Sequence, residues 1–498
     1  MYAAGRNMKT RLSYHRSGGG CSGGGGTAMN GCTSFVFASW RSNCRRPGAR
    51  CSAIQCCAQR TMRTTADAAG VFKRCEGVKN AETFLKEYWQ RRPLLIRGAF
   101  SHFKSPLSAN ELAGLALEQD VESRIVVEKN RREERATADD WELKWGPFEE
   151  KVFSELPEHG YTLLVNEVNR HVPAVQDLLE HFRFVPNYRI DDVMVSYAAQ
   201  YGGIGPHIDN YDVFLLQASG TRRWRVGESR IEVEDEQVVP DCCVRVLQNA
   251  FVPDYDWTLY PGDMLYIPPR IPHWGTAMHD DQCMTFSIGF RAPKIKDLVL
   301  GFAESVAENK VRDDVFLEDS IEDLVASAKA NNPGLISNAA IAAARDAALK
   351  VLNDPHVFRE WFCSAVTDSK RFRSGDEFAP YISSESEAES LLSELLSSHS
   401  QHLHVELTEA CTFAYCEETT PEGNPILALF VNGDPPERVD ATSLRFVQLL
   451  CSRTCRPIHP TTVRKLFRDD RNPQRMRELV VHLMTRGYLS IVDSRKDD

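Results

Sequence analysis

Gly205-Pro206-His207-Ile208-Asp209 is the stretch of the chain that decides its fold. On a strand, side chains at positions i and i+2 point to the same face, so His207 and Asp209 reach into one interior while Ile208 packs on the other side. One imidazole and one carboxylate then fill two positions of a metal coordination sphere. The stretch therefore predicts a β-barrel whose interior holds a metal, with a third ligand supplied from elsewhere in the chain.

His273 is the candidate for that third ligand. It follows a Pro261-Gly262-Asp263 turn, the short apolar strand Met264–Ile267 and a proline-rich loop, which together deliver an imidazole to the start of the next strand. Two histidines and one carboxylate leave open positions for a bidentate keto acid and O₂, which is the arrangement of non-haem Fe(II) oxygenases. The alternative is a core histidine and a surface aspartate with no metal between them.

A bidentate keto acid also needs a cation for its distal carboxylate, and Arg222 is the candidate. Alternation along its strand places Arg222 on the same face as the apolar Trp224, which should point inward. A guanidinium that is buried without a partner is costly, and it matches a carboxylate bidentately. The alternative partner is an internal aspartate. Arg223 and Arg225, on the opposite face, are expected to be solvated.

The chain of 498 residues has the length of two or three domains. From residue 193 to 291, short runs rich in Val, Ile, Tyr and Phe are separated by Gly, Pro and Asp turns, as in a sandwich or barrel. Helical periodicity follows, and the tail ends in three helical runs and a strand, the outline of a winged helix. We predict a mixed α+β chain with a catalytic barrel domain at 71–293, a helical region and linker at 294–400 and a winged-helix-like domain at 401–498.

The first seventy or so residues differ in composition from the rest. The leader at 1–70 is rich in Arg, Ser and Gly, and Asp67 is the first carboxylate in the chain. Such a composition is typical of an organellar transit peptide, and the alternatives are a disordered basic arm or an unused upstream start. Cysteines outside the leader are scattered, without the spacing of a disulfide framework, which indicates a reducing compartment.

The net charge and the hydropathy of the chain argue against two classes of protein, namely nucleic-acid-binding proteins and membrane-spanning proteins. The net charge of −10 gives no overall reason to expect binding to nucleic acid, although the tail is mildly basic. Arg464, Lys465, Arg468 and Arg471 lie on or just after the second helix of the predicted winged helix. We do not expect direct sequence-specific DNA binding from it. No apolar run is long enough to predict a membrane span, so no membrane partner is expected.

At the residues of the predicted site, the chain resembles a known family. The stretches 202–217 and 220–226 closely resemble the JmjC-type ribosomal oxygenases, especially the bacterial branch that hydroxylates an arginine of a large-subunit ribosomal protein. The flanking segments 92–96 and 286–293 fit as well. The resemblance runs roughly from Ala81 to the C-terminus and becomes diffuse after about residue 300. It implies a cupin-type JmjC double-stranded β-helix barrel, a helical dimerisation region and a C-terminal winged-helix-like domain.

The resemblance also assigns roles to individual residues. It implies Fe(II) on His207, Asp209 and His273, and a 2-oxoglutarate co-substrate whose distal carboxylate lies on Arg222. Ser196 of the preceding strand would assist, and Thr285 and Ser287 are further candidates for that pocket. Tyr211 shares the inward parity of the first two ligands and could contact a substrate guanidinium, with ordinary core packing as the alternative. Ala198 stands where the relatives have a second polar residue.

These observations predict an Fe(II)- and 2-oxoglutarate-dependent oxygenase that uses O₂ to hydroxylate a protein side chain. The expected substrate is an arginine of a large-subunit ribosomal protein, the expected assembly is a homodimer, and the expected location is mitochondrial, with the plastid as alternative. A histone lysine demethylase would use the same iron site, but no chromatin-reading module or basic localisation run is evident. A non-catalytic cupin-type assembly factor is the other alternative, and it would have no need of an open metal site.

Overall fold

A computed structural model describes residue 72 and residues 80–495, with gaps at 131–134, 250, 280–281, 312–314, 331–333, 369–381, 383, 398–399, 409–410 and 453–456. The predicted leader at 1–70 lies outside the described residues. Within the described part, no helix is both long enough and apolar enough to cross a membrane.

The first part of the described chain is mostly β-structure. Its strands are β1 (Leu94–Ile96), β2 (Ser123–Glu128), β3 (Trp141–Trp145), β4 (Tyr161–Val165), β5 (Ile190–Ala198), β6 (Asp212–Ser219), β7 (Arg222–Val226), β8 (Tyr255–Leu259), β9 (Met264–Ile267), β10 (His273–Ala277) and β11 (Cys283–Phe290). Short helices accompany them: α1 (Ala81–Glu87), α2 (Ala109–Leu115), α3 (Glu150–Ser154) and α4 (Pro173–Gln176).

These strands form two antiparallel sheets. The larger has the order β1-β9-β6-β11-β5-β4-β2-β3, and the smaller has the order β10-β7-β8. Residues of both sheets line one cavity between them, so the two sheets form the barrel that the sequence predicted. The strand predicted at Met264–Ile267 has the predicted bounds.

Two layers of side chains explain why the central strands are so apolar. Every residue of β11 is buried, because one face of this strand lines the cavity and the other packs in the main core. That core contains Phe84 from α1, Leu112 from α2 and Phe214 from β6. Ser108 begins α2 with a capping box to Glu111, which fixes the start of this helix against the sheet. The core between the large sheet and helices α1 and α2 thus supports the sheet on the side away from the cavity.

A helical region follows the barrel after residue 294. Its helices are α5 (Ile295–Lys310), α6 (Ile321–Lys329), α7 (Asn338–Leu352) and α8 (Pro355–Thr367). Phe302 and Val306, four residues apart on α5, are buried. Many other apolar side chains of these helices are exposed. The role of the region in dimerisation stays a prediction.

The last part of the chain has its own core. Its elements are α9 (Glu385–Leu396), β12 (Leu403–Leu407), β13 (Phe413–Thr419), β14 (Pro425–Val431), β15 (Glu437–Asp440), α10 (Leu444–Leu450), α11 (Pro460–Asp469), α12 (Pro473–Thr485) and β16 (Leu489–Asp493). β12 pairs with β16, and β13, β14 and β15 form a second sheet. The predicted order of three helices and a strand is present. The winged-helix assignment and the domain limits stay predictions.

Candidate metal centre and co-substrate pocket

A cavity of about 430 Å³ opens between the two sheets. Residues from β4, β5, β6 and β11 form one wall, and residues from β7 and β10 form the other. All eight site residues predicted from the sequence line it: Ser196, His207, Asp209, Tyr211, Arg222, His273, Thr285 and Ser287. The fold therefore brings the predicted metal ligands and the predicted co-substrate residues into a single space.

His207, Asp209 and His273 converge inside this cavity. One ligand atom from each residue lies within 4.8 Å of the others, and among the described residues no other group of His, Cys, Asp and Glu meets this condition. The two imidazole centroids are 4.2 Å apart, and Nε2 of His273 is 3.6 Å from Oδ2 of Asp209. His207, Asp209 and His273 would therefore hold one ion, with two imidazoles and one carboxylate as its ligands.

The backbone reaches this arrangement in a different way from the one predicted. His207 pairs with His273 only through an isolated antiparallel bridge, and Asp209 lies in a loop rather than on a continuous strand. Gly205 precedes the bridge with φ of +96°, and a Cβ there would lie 2.8 Å from the Trp141 ring. The positive φ of Gly205 and the close approach of the Trp141 ring bend the chain before His207. The spacing of His207 and Asp209 therefore results from a turn and a single bridge, and not from a continuous strand.

Backbone carbonyls orient both imidazoles. Nδ1 of His207 lies 2.9 Å from the Gly205 carbonyl oxygen, and Nδ1 of His273 lies 2.9 Å from the Ile271 carbonyl oxygen. Each Nδ1–H can donate to its carbonyl, which leaves each Nε2 lone pair for a metal. Burial, reinforced by the neighbouring His207, lowers the pKa of His273 to about 4. A neutral, oriented imidazole at neutral pH is what an Fe(II) site requires of its ligand.

Arg222 is buried in the wall opposite the large sheet, as alternation along β7 predicted. Only 4% of its surface is exposed, and Nη2 makes a long 3.4 Å hydrogen bond to the Gly275 carbonyl. Nε and Nη1 find no hydrogen-bond partner among the described residues. Desolvation lowers the pKa of this guanidinium. A buried cation with two unsatisfied donors fits the carboxylate of 2-oxoglutarate, and no internal aspartate takes that place in the described chain.

The hydroxyl groups predicted to assist Arg222 lie on β5 and β11. Ser196 and Thr285 are directly paired across these strands, and Ser287 follows two residues further along the same face. The Ser196 hydroxyl donates over 3.4 Å to the Thr285 carbonyl, while Thr285 Oγ1 donates to Gln217 over 3.1 Å. The three side chains are buried polar groups of the cavity wall.

The prediction that both outward arginines of β7 would be solvated was wrong for one of them. Arg223 is exposed and forms an ion pair with Asp256. The guanidinium of Arg225 lies 3.6 Å from the centroid of the Trp274 ring on the paired strand β10, which is a cation–π contact. The neighbouring strand therefore provides Arg225 with a partner that alternation alone does not reveal.

Tyr211 lies at the mouth of the cavity and is partly exposed. The carboxylate of Asp209 is the largest cause of a raised pKa at its phenol, so the side chain is a neutral donor beside the metal ligands. The next residue, Asp212, points away from the cavity and is fully buried, accepting a 2.6 Å hydrogen bond from Tyr266.

The sequence did not indicate the carboxylates around the cavity mouth. These are Glu122, Glu167, Asp191 and Asp192, which come from the segments before β2, after β4 and at the start of β5. Arg124 of β2 lies among them. No spacing rule connects these positions, because only the pairing of β2 with β4 and of β4 with β5 makes them neighbours. The doublet Asp191-Asp192 at the start of an apolar strand was the one local signal.

Comparison with known proteins agrees with this geometry. A family profile described as JmjC domain matches residues 177–298, which include every predicted site residue. The chain is 35% identical over 292 residues to the ribosomal protein uL16 3-hydroxylase of Escherichia coli (strain K12), a match that covers 58% of this chain and 72% of the relative. The chain belongs to the JmjC-domain ribosomal oxygenase family.

Other members of the family support the assignment. A probable ribosomal oxygenase of Haemophilus influenzae is 36% identical over 226 residues, covering 45% of this chain and 52% of that protein. The X-ray structure of E. coli YcfD has a TM-score of 0.61 at 28% identity, covering 83% of this chain and 98% of that one. A structure of YcfD, described as a ribosomal oxygenase in complex with cobalt and 2-oxoglutarate, has a TM-score of 0.59 at 27% identity, covering 82% and 97%.

Family membership and the three predicted metal ligands indicate the same class of reaction. The chain is a 2-oxoglutarate-dependent protein hydroxylase that uses Fe(II), as the sequence predicted. The oriented imidazoles and the unsatisfied guanidinium of Arg222 are features of this chain that fit the metal and the co-substrate independently of any relative.

Proposed function

We propose that this chain hydroxylates an arginine side chain of a large-subunit ribosomal protein. In this proposal His207, Asp209 and His273 hold Fe(II), and Arg222 binds the distal carboxylate of 2-oxoglutarate. The observation that carries it is a three-donor cluster and an unsatisfied buried guanidinium in one cavity. Fe(II), 2-oxoglutarate and O₂ together supply hydroxylation of a C–H bond, with release of succinate and CO₂.

Side chains of this protein would support the reaction in two parts of the cavity: the pocket for the co-substrate and the group of metal ligands. In the interior, Ser196, Thr285 and Ser287 would line the co-substrate pocket with hydroxyl groups. At the centre, the carbonyl contacts of the two imidazoles keep both rings oriented before the ion binds, so little reorganisation is needed. The surrounding walls exclude bulk water from the reacting carbon, since most lining residues of β5, β6 and β11 are buried.

The charge of the cavity mouth supports a cationic target side chain. Glu122, Glu167, Asp191 and Asp192 present carboxylates there, and Tyr211 adds an aromatic face and a hydroxyl donor. A guanidinium binds such groups through charge-assisted hydrogen bonds and stacking. The name of the E. coli relative, ribosomal protein uL16 3-hydroxylase, supports a ribosomal protein as the carrier of that side chain.

The test is 2-oxoglutarate turnover by the full chain with Fe(II), O₂ and ascorbate. Peptides from bacterial-type large-subunit ribosomal proteins are compared with histone-tail peptides, and products are analysed by mass spectrometry. We expect one ribosomal peptide to stimulate succinate formation and to gain one oxygen atom on arginine. His207→Ala should abolish both, whereas His404→Ala, a histidine of β12 outside the cavity that contacts Glu406, should not.

Two other outcomes would change the assignment. Loss of methyl groups from a histone peptide would make the chain a lysine demethylase. Absence of turnover with every peptide, together with no metal bound by the wild type, would leave a non-catalytic assembly factor.

We propose further that the chain is a homodimer formed through its helical region. Apolar side chains are exposed on three successive helices, among them Leu300 of α5, Leu324 of α6 and Leu349 of α7. Monomeric proteins rarely expose so much apolar surface in one region, and a second copy would cover it. Light scattering should give twice the chain mass, and Leu324→Glu should shift it toward the monomer. A wild-type monomer at micromolar concentration would contradict the proposal.

The composition of residues 1–70 supports a proposal about location. We propose import into mitochondria, with the plastid as the alternative, because the leader is basic and free of acid up to Asp67. Import of the full chain into isolated mitochondria and into chloroplasts, followed by N-terminal sequencing, would separate the two. A chain that stays outside both organelles would contradict the proposal.

For the C-terminal part we propose a packing role rather than DNA reading. The Arg464 guanidinium of α11 donates to the carbonyls of Leu395 and Ser400, so the most central cation of that helix is used inside the fold. Lys465 and Arg468 lie on the same helix, and the Arg468 guanidinium is 3.6 Å from the carboxylate of Asp469. Binding of random duplex DNA should therefore be weak and independent of sequence, as judged by fluorescence anisotropy.

A further inference from the structure

Two charged groups of opposite sign line the same cavity without neutralising each other. Among the described residues, neither Arg124 nor Asp192 forms an ion pair, and both lie in the cavity wall. Asp192 accepts one hydrogen bond of 3.0 Å from the backbone of Glu167. Within the described part of the chain, the Arg124 side chain makes one hydrogen bond, a weak contact of 3.9 Å from Nη2 to Sδ of Met194.

The strand pairing explains where the Arg124 guanidinium stands. On β2, Arg124 is in register with Leu164 of β4 on one side and with Trp145 of β3 on the other. Leu164 is in turn in register with Ser196 of β5, so Arg124 lies at the depth of the co-substrate residues. Its guanidinium carbon is 6.0 Å from the Trp145 ring, and its Nη2 reaches Met194 toward the mouth. The side chain thus extends along the wall from the interior toward the entrance.

The neighbouring carboxylates have other partners. Asp191 accepts a 3.0 Å hydrogen bond from Nε of Arg291. Glu122 accepts a 2.9 Å hydrogen bond from the Asn166 amide. Glu167 lies 3.6 Å from the guanidinium of Arg170. Each of these acids is engaged elsewhere, which is why none of them holds the Arg124 guanidinium.

We infer that Arg124 is a substrate-binding residue that donates hydrogen bonds to a main-chain carbonyl of the substrate polypeptide, beside the residue that is hydroxylated. This inference rests on the proposed function and extends it to the substrate backbone. A planar guanidinium offers five donors, and in the free protein Arg124 uses one of them on a thioether. A polypeptide that enters the cavity supplies the missing acceptors.

The charge around Arg124 selects a neutral acceptor over an acidic one. Glu122, Glu167, Asp191 and Asp192 all lie at the same mouth, so a carboxylate on the substrate would be repelled there, most strongly by Asp192, which has no ion-pair partner among the described residues. A carbonyl oxygen avoids this repulsion and still accepts a charge-assisted hydrogen bond. Arg124 and Asp192 then have separate roles in substrate binding. Asp192 binds the cationic target side chain, and Arg124 binds the backbone of the polypeptide that carries this side chain.

Direct peptide binding by the full chain tests the inference. The probe is a fluorescent form of whichever ribosomal peptide the wild type hydroxylates, with Mn²⁺ and 2-oxoglutarate present and O₂ excluded. Arg124→Gln should raise the peptide dissociation constant about tenfold or more, because a hydrogen bond from a charged donor is lost. Arg124→Lys should recover part of the loss. Over the same variants, the dissociation constant of 2-oxoglutarate should change less than threefold.

Lys144→Gln is the matched control. Lys144 lies on β3, one residue from Trp145, and its charge is engaged by Glu142 at 3.5 Å. It should leave peptide affinity unchanged, and thermal unfolding should show that all three variants fold. Wild-type peptide affinity in Arg124→Gln would overturn the inference while leaving the proposed function intact. A loss that occurs only with peptides bearing an acidic neighbour would overturn the choice of a main-chain acceptor. Failure of the wild type to hydroxylate any ribosomal peptide would remove the proposed function and this inference together.

Discussion

Gly275 of β10 stands against Arg222 of β7, and a Cβ on Gly275 would lie 2.7 Å from Nε of that guanidinium. The same Cβ would lie 2.6 Å from the Trp224 ring, on the residue with which Gly275 is in register. Real Cβ atoms do not come this close to heavy atoms. The absence of a side chain at Gly275 therefore sets the position of the guanidinium.

Gly275→Ala should impair co-substrate binding more than folding. Its methyl group would push Arg222 toward the space that the carboxylate of 2-oxoglutarate needs, so we expect the dissociation constant of 2-oxoglutarate to rise at least tenfold. Gly114→Ala is the control, because a Cβ there meets nothing within 4 Å. Calorimetric titration of the Mn²⁺-loaded proteins measures both. Unchanged affinity in Gly275→Ala would show that Arg222 adjusts freely.

Binding of a cationic peptide should depend on pH through Asp192. Burial, reinforced by the neighbouring Asp191, raises the pKa of Asp192 to about 6. Below this pKa the carboxyl group is neutral and loses its attraction for a guanidinium, whereas arginine stays charged throughout. The peptide dissociation constant should therefore fall as pH rises from 5 to 7, measured by anisotropy, with a variant that lacks the Asp192 carboxyl group taken through the same range so that protonation of other groups can be subtracted.

The matched variant for this experiment is Asp192→Asn. It keeps the shape of the side chain and cannot ionise, so it should weaken binding at pH 7 and flatten the profile near pH 6. The same shift affects stability with a defined sign. Between the unfolded pKa of 3.8 and the folded value of about 6, the folded state holds a proton that the unfolded state releases, so this group makes the folded protein less stable as pH rises. A pH profile that is identical in both proteins would exclude Asp192.

Prediction from sequence succeeded where chemistry is encoded in short-range spacing. His207, Asp209 and His273 carry turn signals beside them, and Arg222 follows from the two-residue period of one strand. Prediction failed where the fold combines distant segments. Arg124 and Asp192 come to line one cavity only through the order β5-β4-β2 of the large sheet, which local pattern does not specify. The alternation rule also placed Asp209 on a strand, because it does not foresee the bend at Gly205.

Tyr266 of β9 should contribute measurably to stability through a buried cluster behind the cavity. Its hydroxyl donates to Asp212 over 2.6 Å and accepts from the Gln90 backbone over 2.7 Å. Tyr266→Phe leaves a buried carboxylate one donor short, so we expect the free energy of unfolding to fall by about 1–3 kcal/mol. Tyr255→Phe is the control, since that hydroxyl contacts Glu228 at the surface. Urea titration measures both, and equal losses would argue against a special role for the cluster.

Arg222 should show a conflict between stability and function. Its guanidinium is buried, two of its donors find no partner among the residues that the structure describes, and desolvation lowers its pKa. Arg222→Met removes the cost of burying this charge and keeps most of the volume, so the metal-free and ligand-free protein should unfold at equal or higher urea concentration than the wild type. In the same variant, saturating 2-oxoglutarate should no longer raise the melting temperature of the Mn²⁺-loaded protein, because the ligand stabilises only through differential binding. Arg223→Met, on the exposed face of the same strand, should retain that shift in melting temperature. A marked loss of stability in ligand-free Arg222→Met would show instead that the guanidinium is held by the protein itself.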